Sequence, residues 1–466
     1  MERKSGVLMH ISSLFGDYSI GSFGKQAEYF IDFLADSGFS YWQVLPFCPT
    51  DEMNSPYKSC STFAGNPYFV DLEKLYEKEL ITSDELEKAT QKTPYLCEFD
   101  RLNGERCDLL LKASLRVTDR KKIETYIQKN PYLLSFCKYM ADKNKDESIS
   151  KSDALFMWKF IQYEFFTQWA QVKEYANKKG ISIIGDIPIY VSADSCDVKD
   201  NKEQYLLDSD GNPAKVAGVP PDYFCEDGQL WGNPLYNWKE MKKDGYRWWK
   251  DRIKHMTALF DGVRIDHFRG VESYWAVPAK AETARSGKWV KGPGMELVKA
   301  IKEAAGDALI IAEDLGDITP QVANLVHKSG FPGMRVLQFG FLSEADSSHR
   351  PHNYPKNCVA YTGTHDNNTL VGYIWEMDDI TLHRLFDYCG HKGDRQDALE
   401  SIIRTMLASH ASLVMFPIQD LLGFGADTRL NIPGNATGNW QFRITKEQLD
   451  SIDRGRFNYL NKLYSR

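Results

Sequence analysis

Short apolar runs recur along the chain, and several of them follow an amphipathic stretch that ends at a glycine. This order is typical of strands that alternate with helices in a parallel sheet. The runs that predict strands are GVLMHI from Gly6, YWQVLP from Tyr41, ISIIGDI from Ile181, GVRID from Gly262, LIIAED from Leu309, MRVLQF from Met334, CVAYTG from Cys358 and LVMFPI from Leu413. Eight such strands predict an α/β fold with a closed (β/α)8 TIM barrel. An open doubly wound sheet is also compatible with the pattern, but no glycine-rich GxGxxG loop follows the first strand.

Two of the intervening helices have recognisable ends in the sequence. The stretch 26–37 stops at Gly38. Another begins with Thr319 as the N-cap and Pro320 at the first helical position, and it stops at Gly330. These ends support the assignment of helices between the strands.

Two gaps between predicted strands, at about 47–180 and 191–261, are too long for plain βα connections. We therefore expect one catalytic barrel domain over residues 1–466, with these insertions forming subdomains around the active-site cleft. The first insertion contains helical material such as RCDLLLKASLRV and a polar stretch, KNKDESISKSD, that is typical of a surface turn. The aromatic residues of segment 154–175 have near-helical spacing, which predicts core packing.

Composition and charge exclude several classes of partner. The net charge of -7 and the pI of about 5.9 argue against nucleic acid, because phosphate binding needs a clustered basic face. No run approaches the roughly 20 apolar residues of a membrane helix, and the start, MERKSGVLMHISS, has no cleavable signal pattern. We expect a soluble cytoplasmic protein with no membrane contact and no obligate protein partner.

Cysteine usage does not indicate a disulfide framework or a zinc site. The 9 cysteines include no CxxC pair. Cys48, Cys137 and Cys358 have aromatic or apolar neighbours, and Cys225 lies in a polar loop. Reduced thiols are the expected state.

Tryptophan and tyrosine are concentrated in loops rich in Gly and Pro, such as DYFCEDGQLWGNPLYNW. Flat amphipathic rings displayed on loops are typical of a sugar-binding cleft, because the C–H faces of pyranoses pack on them. The loops therefore indicate a carbohydrate ligand.

Acidic residues follow four of the eight predicted strands. Asp186 follows ISIIG, Asp266 follows GVRI, Glu313 and Asp314 follow LIIA, and Asp366 follows CVAYTGTH. Catalytic groups of β/α barrels lie at the carboxyl ends of the strands. Any one of these acids is equally compatible with a salt bridge or a helix N-cap, but acids from four strands at one barrel face indicate catalysis.

The residues around these acids predict different roles for them. Strand alternation points Arg264 and Asp266 to the same side, so the guanidinium keeps that carboxylate ionised and able to act as a nucleophile. Glu313 follows an apolar run, where desolvation raises the pKa of a carboxyl, which suits it to donate a proton and later to accept one. Asp314 points the other way and is predicted to be a structural acid.

The histidines beside the acids do not indicate metal catalysis. His365 precedes Asp366 without a cysteine or second histidine at ligand spacing, so a hydrogen bond to a sugar hydroxyl is expected. Alternation sends His267 away from the cleft, which predicts a packed, hydrogen-bonded histidine rather than a base. No GxSxG elbow is present, so acyl transfer has no nucleophile.

Several motifs resemble a known family. GVRIDHFRG, IIAEDLG and TGTHDNNT resemble the signature strands of the α-amylase superfamily. NSPYKSCSTFAGNPYFVDL, GDIPIYVSADSCDV, GVPPDYFCEDGQLWGNPLYNW, GPGMELV, FPGMRVLQFGF and TRLNIPGNATGNWQFR are together similar to the 4-α-glucanotransferases called amylomaltase or disproportionating enzyme, glycoside hydrolase family 77. The resemblance extends from His10 to Arg443. It implies a (β/α)8 barrel with inserted subdomains, no separate C-terminal β-domain, no cofactor, and α-1,4-glucans and maltooligosaccharides as donor and acceptor.

Matching motifs carry the family's site residues onto this sequence. The resemblance implies Asp266 as nucleophile, Glu313 as acid/base and Asp366 as the residue that binds sugar hydroxyls near the cleaved bond. It also implies substrate contacts for Arg264, His365, Asp186, Tyr57, Ser55, Gln229, Trp231, Tyr190 and Asn233.

Three features depart from the family pattern. Lys58 stands where many relatives have glutamine, and residues 225–227 (CED) give a lid loop a more acidic tip. After QFGF this chain has Leu342 and Ser343 where relatives often carry aspartate, with an acid only at Glu344. These departures concern acceptor preference and loop closure rather than the reaction class.

The expected reaction is a retaining transfer through a covalent glycosyl-enzyme. Transfer requires an acceptor that outcompetes water, so aromatic residues on a movable lid over 218–238 are expected to cover the acceptor side. The same loop aromatics are also compatible with anchoring the insertions against the barrel. An α-glucan hydrolase is the alternative within enzymes, and an idle glucan-binding protein is the alternative outside them. The three intact acids argue against the idle protein.

Overall fold

The computed structural model describes residues 2–144, 148–221 and 226–466. The strands, in chain order, are β1 (Lys4–Leu8), β2 (Tyr41–Gln43), β3 (Ser182–Ile187), β4 (Lys215–Val219), β5 (Gln229–Pro234), β6 (Gly262–Ile265), β7 (Ser273–Pro278), β8 (Lys288–Lys291), β9 (Leu309–Ala312), β10 (Gly333–Val336), β11 (Cys358–Tyr361) and β12 (Leu413–Pro417).

Within the described ranges, an 8-stranded sheet has the order β10-β11-β12-β1-β2-β3-β6-β9, and all its recorded pairs are parallel. The two outer strands approach each other, because the Ala312 N–H donates to the carbonyl of Pro332 at 2.9 Å. The sheet therefore curls into a (β/α)8 barrel, and the predicted fold class is confirmed. Each of the apolar runs predicted to be a strand overlaps one of these strands.

The helices before β3 are α1 (Lys25–Asp36), α2 (Leu72–Glu77), α3 (Ser83–Lys88), α4 (Phe99–Arg101), α5 (Cys107–Leu115), α6 (Lys121–Gln128), α7 (Pro131–Lys143) and α8 (Lys151–Lys178). Those from β3 to β9 are α9 (Cys196–Asp200), α10 (Trp238–Lys243), α11 (Arg247–Leu259), α12 (Arg269–Glu272) and α13 (Met295–Ala305). The remaining helices are α14 (Pro320–Ser329), α15 (Leu370–Glu376), α16 (Asp379–Cys389), α17 (Ala398–Ala408), α18 (Ile418–Leu422), α19 (Lys446–Asp450) and α20 (Arg454–Leu463).

The three helix ends predicted from the sequence are confirmed. Helix α1 ends at Asp36, and Gly38 follows with a φ of 75°, a conformation that favours glycine. The Thr319 hydroxyl accepts a 3.4 Å hydrogen bond from the Val322 N–H at the start of α14, and Gly330 ends that helix at a φ of 70°.

The chain between β2 and β3 contains helical material, as expected, and RCDLLLKASLRV includes α5. Helix α8 runs for 28 residues from Lys151 to Lys178, and its aromatic face is buried, including Phe160 and Trp169 at 1% exposure each. Core packing therefore explains the aromatic periodicity of this segment. The polar stretch predicted to be a surface turn connects α7 to α8, and its residues 145–147 lie outside the described part of the chain.

A smaller antiparallel sheet with the order β5-β4-β7-β8 stands beside the barrel. The pattern of apolar runs did not predict this sheet. Strands β7 and β8 come between β6 and β9; β7 pairs with β4, which belongs to the preceding connection, and β8 pairs with β7. Residues 222–225, which include Cys225 of the predicted acidic lid tip, lie between β4 and β5 and outside the described residues.

The barrel interior is filled by apolar side chains that point inward from its strands. Buried members of this layer are Ile184, Ile311, Met334, Val336, Val359, Tyr361, Leu413 and Met415. Because side chains alternate along a strand, the inward series of β3 continues from Ile184 to Asp186, and Arg264 of β6 lies above Met334. The polar groups of the site therefore lie directly above this buried apolar layer.

After β12, residues 418–466 contain helices and no further strand. The last helix, α20, returns to the start of the barrel, where Asn461 accepts a hydrogen bond from the Ser5 hydroxyl at 2.6 Å. Among the described helices, none has the length and apolar character needed to span a bilayer.

Candidate active site

Asp266 and Glu313 occupy equivalent places at the ends of neighbouring strands. Ile265 of β6 is in register with Ala312 of β9, so each carboxylate comes one residue after a paired position. Backbone bonds extend this alignment, since the Glu313 N–H donates to the Ile265 carbonyl at 3.1 Å. The two acids therefore lie side by side at the carboxyl end of the barrel.

Glu313 is buried, with 8% of its surface exposed, and its carboxylate is fixed by backbone donors. The His267 N–H donates to Oε2 at 2.6 Å and the Leu315 N–H donates to Oε1 at 2.8 Å. Burial raises the pKa of Glu313 to about 7, although the Arg264 guanidinium works in the opposite direction. A carboxyl with this pKa exchanges a proton readily near neutral pH.

Arg264 joins Asp186 to Asp266 beneath the site. Its Nη1 donates to both oxygens of Asp186, at 2.8 and 2.7 Å, and its Nη2 lies 2.9 Å from Asp266 Oδ1. Burial alone would lower the pKa of Arg264, but the two carboxylates raise it well above its ordinary value. The guanidinium therefore stays charged, and it faces the Asp266 carboxylate with a fixed positive group.

Only one of the two Arg264 partners reaches solvent. The Asp186 side chain is fully buried at 0% exposure, whereas 28% of the Asp266 side chain is exposed. Asp266 thus presents its carboxylate to the cleft while a buried ion pair holds it from below.

Asp366 is held on both oxygens. Asn431 Nδ2 donates to Oδ1 at 2.6 Å, and His365 Nε2 lies 3.3 Å from Oδ2. Burial opposes ionisation of Asp366, yet the His365 imidazole and the Asn431 amide lower its pKa to about 2. The pKa of His365 is raised in turn, because the Asp366 charge outweighs the effect of burial. This pair presents an anion and a hydrogen-bond donor to the cleft.

Tyr57 contacts both Asp186 and His365, which come from different parts of the barrel. Its hydroxyl donates to Asp186 Oδ2 at 2.8 Å, and its ring stacks on His365 with centroids 4.9 Å apart and planes 17° apart. The Tyr57 N–H donates to the Ser55 hydroxyl at 3.3 Å, which shapes the loop that carries both residues. Tyr57 reaches across from the first insertion to groups on β3 and on the loop after β11.

These groups surround a cleft of about 460 Å³. Of the predicted site residues, those that line it are Ser55, Tyr57, Tyr190, Gln229, Trp231, Asn233, Asp266, His365 and Asp366. The three others, Asp186, Arg264 and Glu313, are buried and lie next to the lining rather than in it. Lys58, which departs from the family pattern, also lines the cleft.

One wall of the cleft comes from β5 and the loop after β3. Asn233 Nδ2 donates to the Val191 carbonyl at 2.8 Å, and Trp231 Nε1 donates to Gln229 Oε1 at 3.1 Å. The Trp231 ring meets the His267 ring edge-on at 4.8 Å. Burial lowers the pKa of His267 to about 4, so this ring is uncharged at neutral pH where it packs against Trp231.

The opposite wall includes residues that were not given a role from the sequence. Segment 431–440 contributes Asn431, and also Trp440, whose ring centroid is 5.9 Å from that of Tyr57. The segment has glycines with φ of 88° and 83° at Gly434 and Gly438, so it turns sharply. Its Gly, Pro and Asn content with one displayed Trp is the same signal that singled out the loop around Trp231.

Asp314, which was predicted to be a structural acid, has structural partners. Asp314 is buried at 6% exposure, accepts the Met334 N–H at 2.6 Å and pairs with Arg335 at 3.2 Å.

In residues 2–144, 148–221 and 226–466, no group of three or more His, Cys, Asp or Glu side chains is arranged to hold a metal ion.

The geometry agrees with comparisons to known proteins. The family model for 4-alpha-glucanotransferases, glycoside hydrolase family 77, matches residues 9–153 and 145–449. The chain is 42% identical to a 4-alpha-glucanotransferase of Streptococcus pneumoniae, over 100% of this chain and 98% of that protein. It is 40% identical to the 4-alpha-glucanotransferase of Clostridium butyricum, over 98% of this chain and 100% of that protein.

A solved structure has the same architecture. The amylomaltase from Streptococcus agalactiae in complex with acarbose matches with a TM-score of 0.95 and 37% identity, over 100% of both chains. The barrel, the acids at its strand ends and these full-length matches agree, and the chain belongs to the 4-alpha-glucanotransferase family, glycoside hydrolase family 77.

Proposed function

We propose that this enzyme is a 4-α-glucanotransferase that moves a segment of an α-1,4-glucan to the 4-hydroxyl of an acceptor, through a covalent bond to Asp266. The observation that carries the proposal is the arrangement of the Asp266 carboxylate, held by Arg264, beside the buried Glu313. Relatives of equal length that are named 4-alpha-glucanotransferase favour transfer over hydrolysis.

In the first step, Asp266 attacks the anomeric carbon of the donor glucose. The bond from that carbon to the glycosidic oxygen breaks, and Glu313 gives its proton to this oxygen, which leaves on the shortened glucan. The raised pKa of Glu313 supports this role, since a proton donor must still hold its proton near neutral pH.

In the second step, an acceptor glucan occupies the place of the departed one. The Glu313 carboxylate takes the proton from the acceptor 4-hydroxyl, whose oxygen attacks the anomeric carbon and displaces Asp266. Two inversions at the same carbon give retention of the α configuration. Both carboxyl groups return to their starting protonation states.

Asp366 and His365 would bond hydroxyls of the same donor glucose. Their mutual contact and the Asn431 bond fix them before substrate arrives, so the transition state does not have to order them. We assign Tyr57 to stacking on or bonding the donor sugar, and Asp186 to orienting Arg264 and Tyr57 from below. Bonds that strengthen as the ring flattens lower the barrier of both steps.

Water must be kept from the intermediate while the acceptor binds. Gln229, Trp231 and Asn233 on β5, with Tyr190 beside them, line the part of the cleft next to Asp266, which supports a role on the acceptor side. We propose that the connections at about 47–180 and 191–261 form subdomains around this cleft. We further propose that the enzyme acts in the cytoplasm, with α-1,4-glucans as both donor and acceptor.

Incubation of the protein with maltotriose tests the function. Transfer converts two maltotriose molecules into maltopentaose and glucose or into maltotetraose and maltose, so longer products appear while the number of reducing ends stays constant. Chromatography with a parallel reducing-end assay measures both quantities. Glucose and maltose with a rising number of reducing ends and no elongation would identify a hydrolase, and unchanged maltotriose would identify a binding protein.

A further inference from the structure

A fully buried carboxylate, Asp420, has no place in the mechanism above. It lies on the short helix α18, just after β12, and its exposure is 0%. The Thr362 hydroxyl donates to its Oδ2 at 2.5 Å, and the Leu370 N–H donates to its Oδ1 at 2.7 Å. A buried carboxylate is costly unless it is paired or hydrogen-bonded, so its local partners matter.

Those two partners are the two ends of one loop. Thr362 directly follows the last residue of β11, and Leu370 is the first residue of α15. The residues between them include His365 and Asp366. The Asp420 side chain, which follows the next strand β12, is therefore hydrogen-bonded to both ends of the loop that carries these two site residues.

Gln419, the residue before Asp420, anchors a second segment that contacts Asp366. Gln419 Nε2 donates to the Thr428 carbonyl at 3.1 Å, which anchors the segment that follows α18. This segment carries Arg429, whose Nη2 donates to the Asp366 carbonyl at 3.0 Å, and Asn431, which bonds the Asp366 carboxylate. Helix α18 thus connects to Asp366 by two routes.

We propose that Asp420 is a positioning residue for the transfer reaction, which sets the place of Asp366 and His365 by clamping both ends of the loop 362–370. This inference rests on the proposed function, because its effect is read in the rate of transfer. Asp420 touches no substrate and acts only through the loop. The consequence is that its loss lowers kcat more than it raises KM, since Asp366 bonds the sugar more strongly in the transition state.

The chain offers a matched control in Asp71. This carboxylate is also buried, at 1% exposure, and it also accepts one hydroxyl, from Ser22 at 2.7 Å, and one backbone N–H, from Lys74 at 3.0 Å. Its partners lie on the first insertion and the start of the barrel, outside the cleft lining. Loss of Asp71 and loss of Asp420 therefore remove the same number and kind of bonds in two different places.

The experiment compares Asp420→Ala with Asp71→Ala in steady-state maltotriose disproportionation, below the unfolding midpoint of both variants. For Asp420→Ala we expect kcat to fall on the order of 100-fold, the effect of a displacement of about 1 Å in a catalytic group, with KM within about 3-fold. For Asp71→Ala we expect a similar drop in the unfolding temperature and kcat near the wild-type value. Equal kcat losses in both variants, or a wild-type kcat in Asp420→Ala, would overturn the assignment.

Two milder substitutions at Thr362 test the proposal if Asp420→Ala does not fold. Thr362→Val removes one of the two clamping bonds, and Thr362→Ser keeps it. We expect Thr362→Val to lose on the order of 10-fold in kcat and Thr362→Ser to recover the wild-type rate. Equal rates in the two variants would refute the clamp. A wild-type protein that leaves maltotriose unchanged would instead refute the proposed function itself.

Discussion

The backbone N–H of His267 donates a 2.6 Å hydrogen bond to Glu313 Oε2, so the residue after Asp266 directly orients the neighbouring acid. His267 adopts a φ of 47°, a conformation that few non-glycine residues take, and this turn aims its N–H at Glu313. The two acids are therefore linked through one peptide unit as well as through the strand register. A change at either acid is expected to be felt by the other.

Asp266→Asn is expected to lower kcat by on the order of 10⁴-fold or more while the fold persists, because an amide cannot serve as the nucleophile. Steady-state kinetics with maltotriose and far-UV circular dichroism check the two parts. Asp314→Asn is the matched control, since Asp314 follows Glu313 just after β9 and pairs with Arg335 instead of facing the cleft. It is expected to lower stability and to retain transfer. Substantial turnover in Asp266→Asn would move the nucleophile to another residue.

The pKa of about 7 for Glu313 sets the alkaline side of the activity profile. A proton donor must be protonated, so kcat/KM is expected to fall as pH rises through about 7, since this ratio reports groups of the free enzyme. Measurement of kcat/KM from pH 5 to 9 tests for this decrease. A flat profile up to pH 9 would contradict the assignment of Glu313 as the acid.

The same shift predicts how Glu313 affects stability. Its folded pKa lies above the usual value of 4.5, so the folded state binds more protons than the unfolded state between these values, and stability is lost as pH rises through about 7. Glu313→Gln carries no charge to desolvate. The unfolding temperature of Glu313→Gln relative to wild type is therefore expected to be higher at pH 8 than at pH 4. Thermal unfolding at the two pH values decides the point, and an equal difference at both would argue against a buried, titrating carboxyl.

Trp231→Ala is expected to raise the proportion of hydrolysis and to weaken acceptor binding by on the order of 10-fold, the effect of losing one aromatic contact of about 1.4 kcal/mol. The ratio of new reducing ends to elongated products measures the partition. Trp289→Ala is the control, because Trp289 lies on the far edge strand of the same small sheet and is 37% exposed outside the cleft lining. A partition that shifts equally in both variants would indicate a general loosening of that sheet.

Asn431→Ala removes the amide that donates to Asp366 Oδ1 at 2.6 Å. We expect a fall in kcat of on the order of 10- to 100-fold, because Asp366 loses one of the contacts that fix its carboxylate. Asn458→Ala on α20, which removes a 3.0 Å bond to the Asp36 carbonyl, serves as the control for an asparagine outside the cleft. An unchanged kcat in Asn431→Ala would show that His365 suffices to hold Asp366.

The sequence predicted the barrel because its signals are local. Each strand is a short apolar run, and Asp266 and Glu313 each follow such a run directly, so strand register alone brings them together. Motif resemblance gave the family, which the full-length relatives confirm. The division into subdomains and the roles of individual site residues stay predictions.

The parts that the sequence did not predict depend on contacts between distant segments. Strand β7 pairs with the distant strand β4, and β8 pairs with β7, whereas a segment such as KWVK in β8 has no clear strand pattern of its own. Asn431 contacts Asp366 across 65 positions, and Tyr57 contacts Asp186 across 129. Local periodicity carries no information about which loop will meet which carboxylate.

The pairing of β1 with β12 has a consequence for biosynthesis. Lys4 is in register with Leu413, so β1 leaves the ribosome roughly 400 residues before its partner, an interval of about 20–80 s at about 5–20 residues per second. During that time one edge of the nascent sheet has free N–H and C=O groups that can pair with other chains. A product that stops before Leu413 would thus retain an open edge that can pair with other chains instead of forming a smaller barrel, and chaperone protection of that edge matters until β12 has been made.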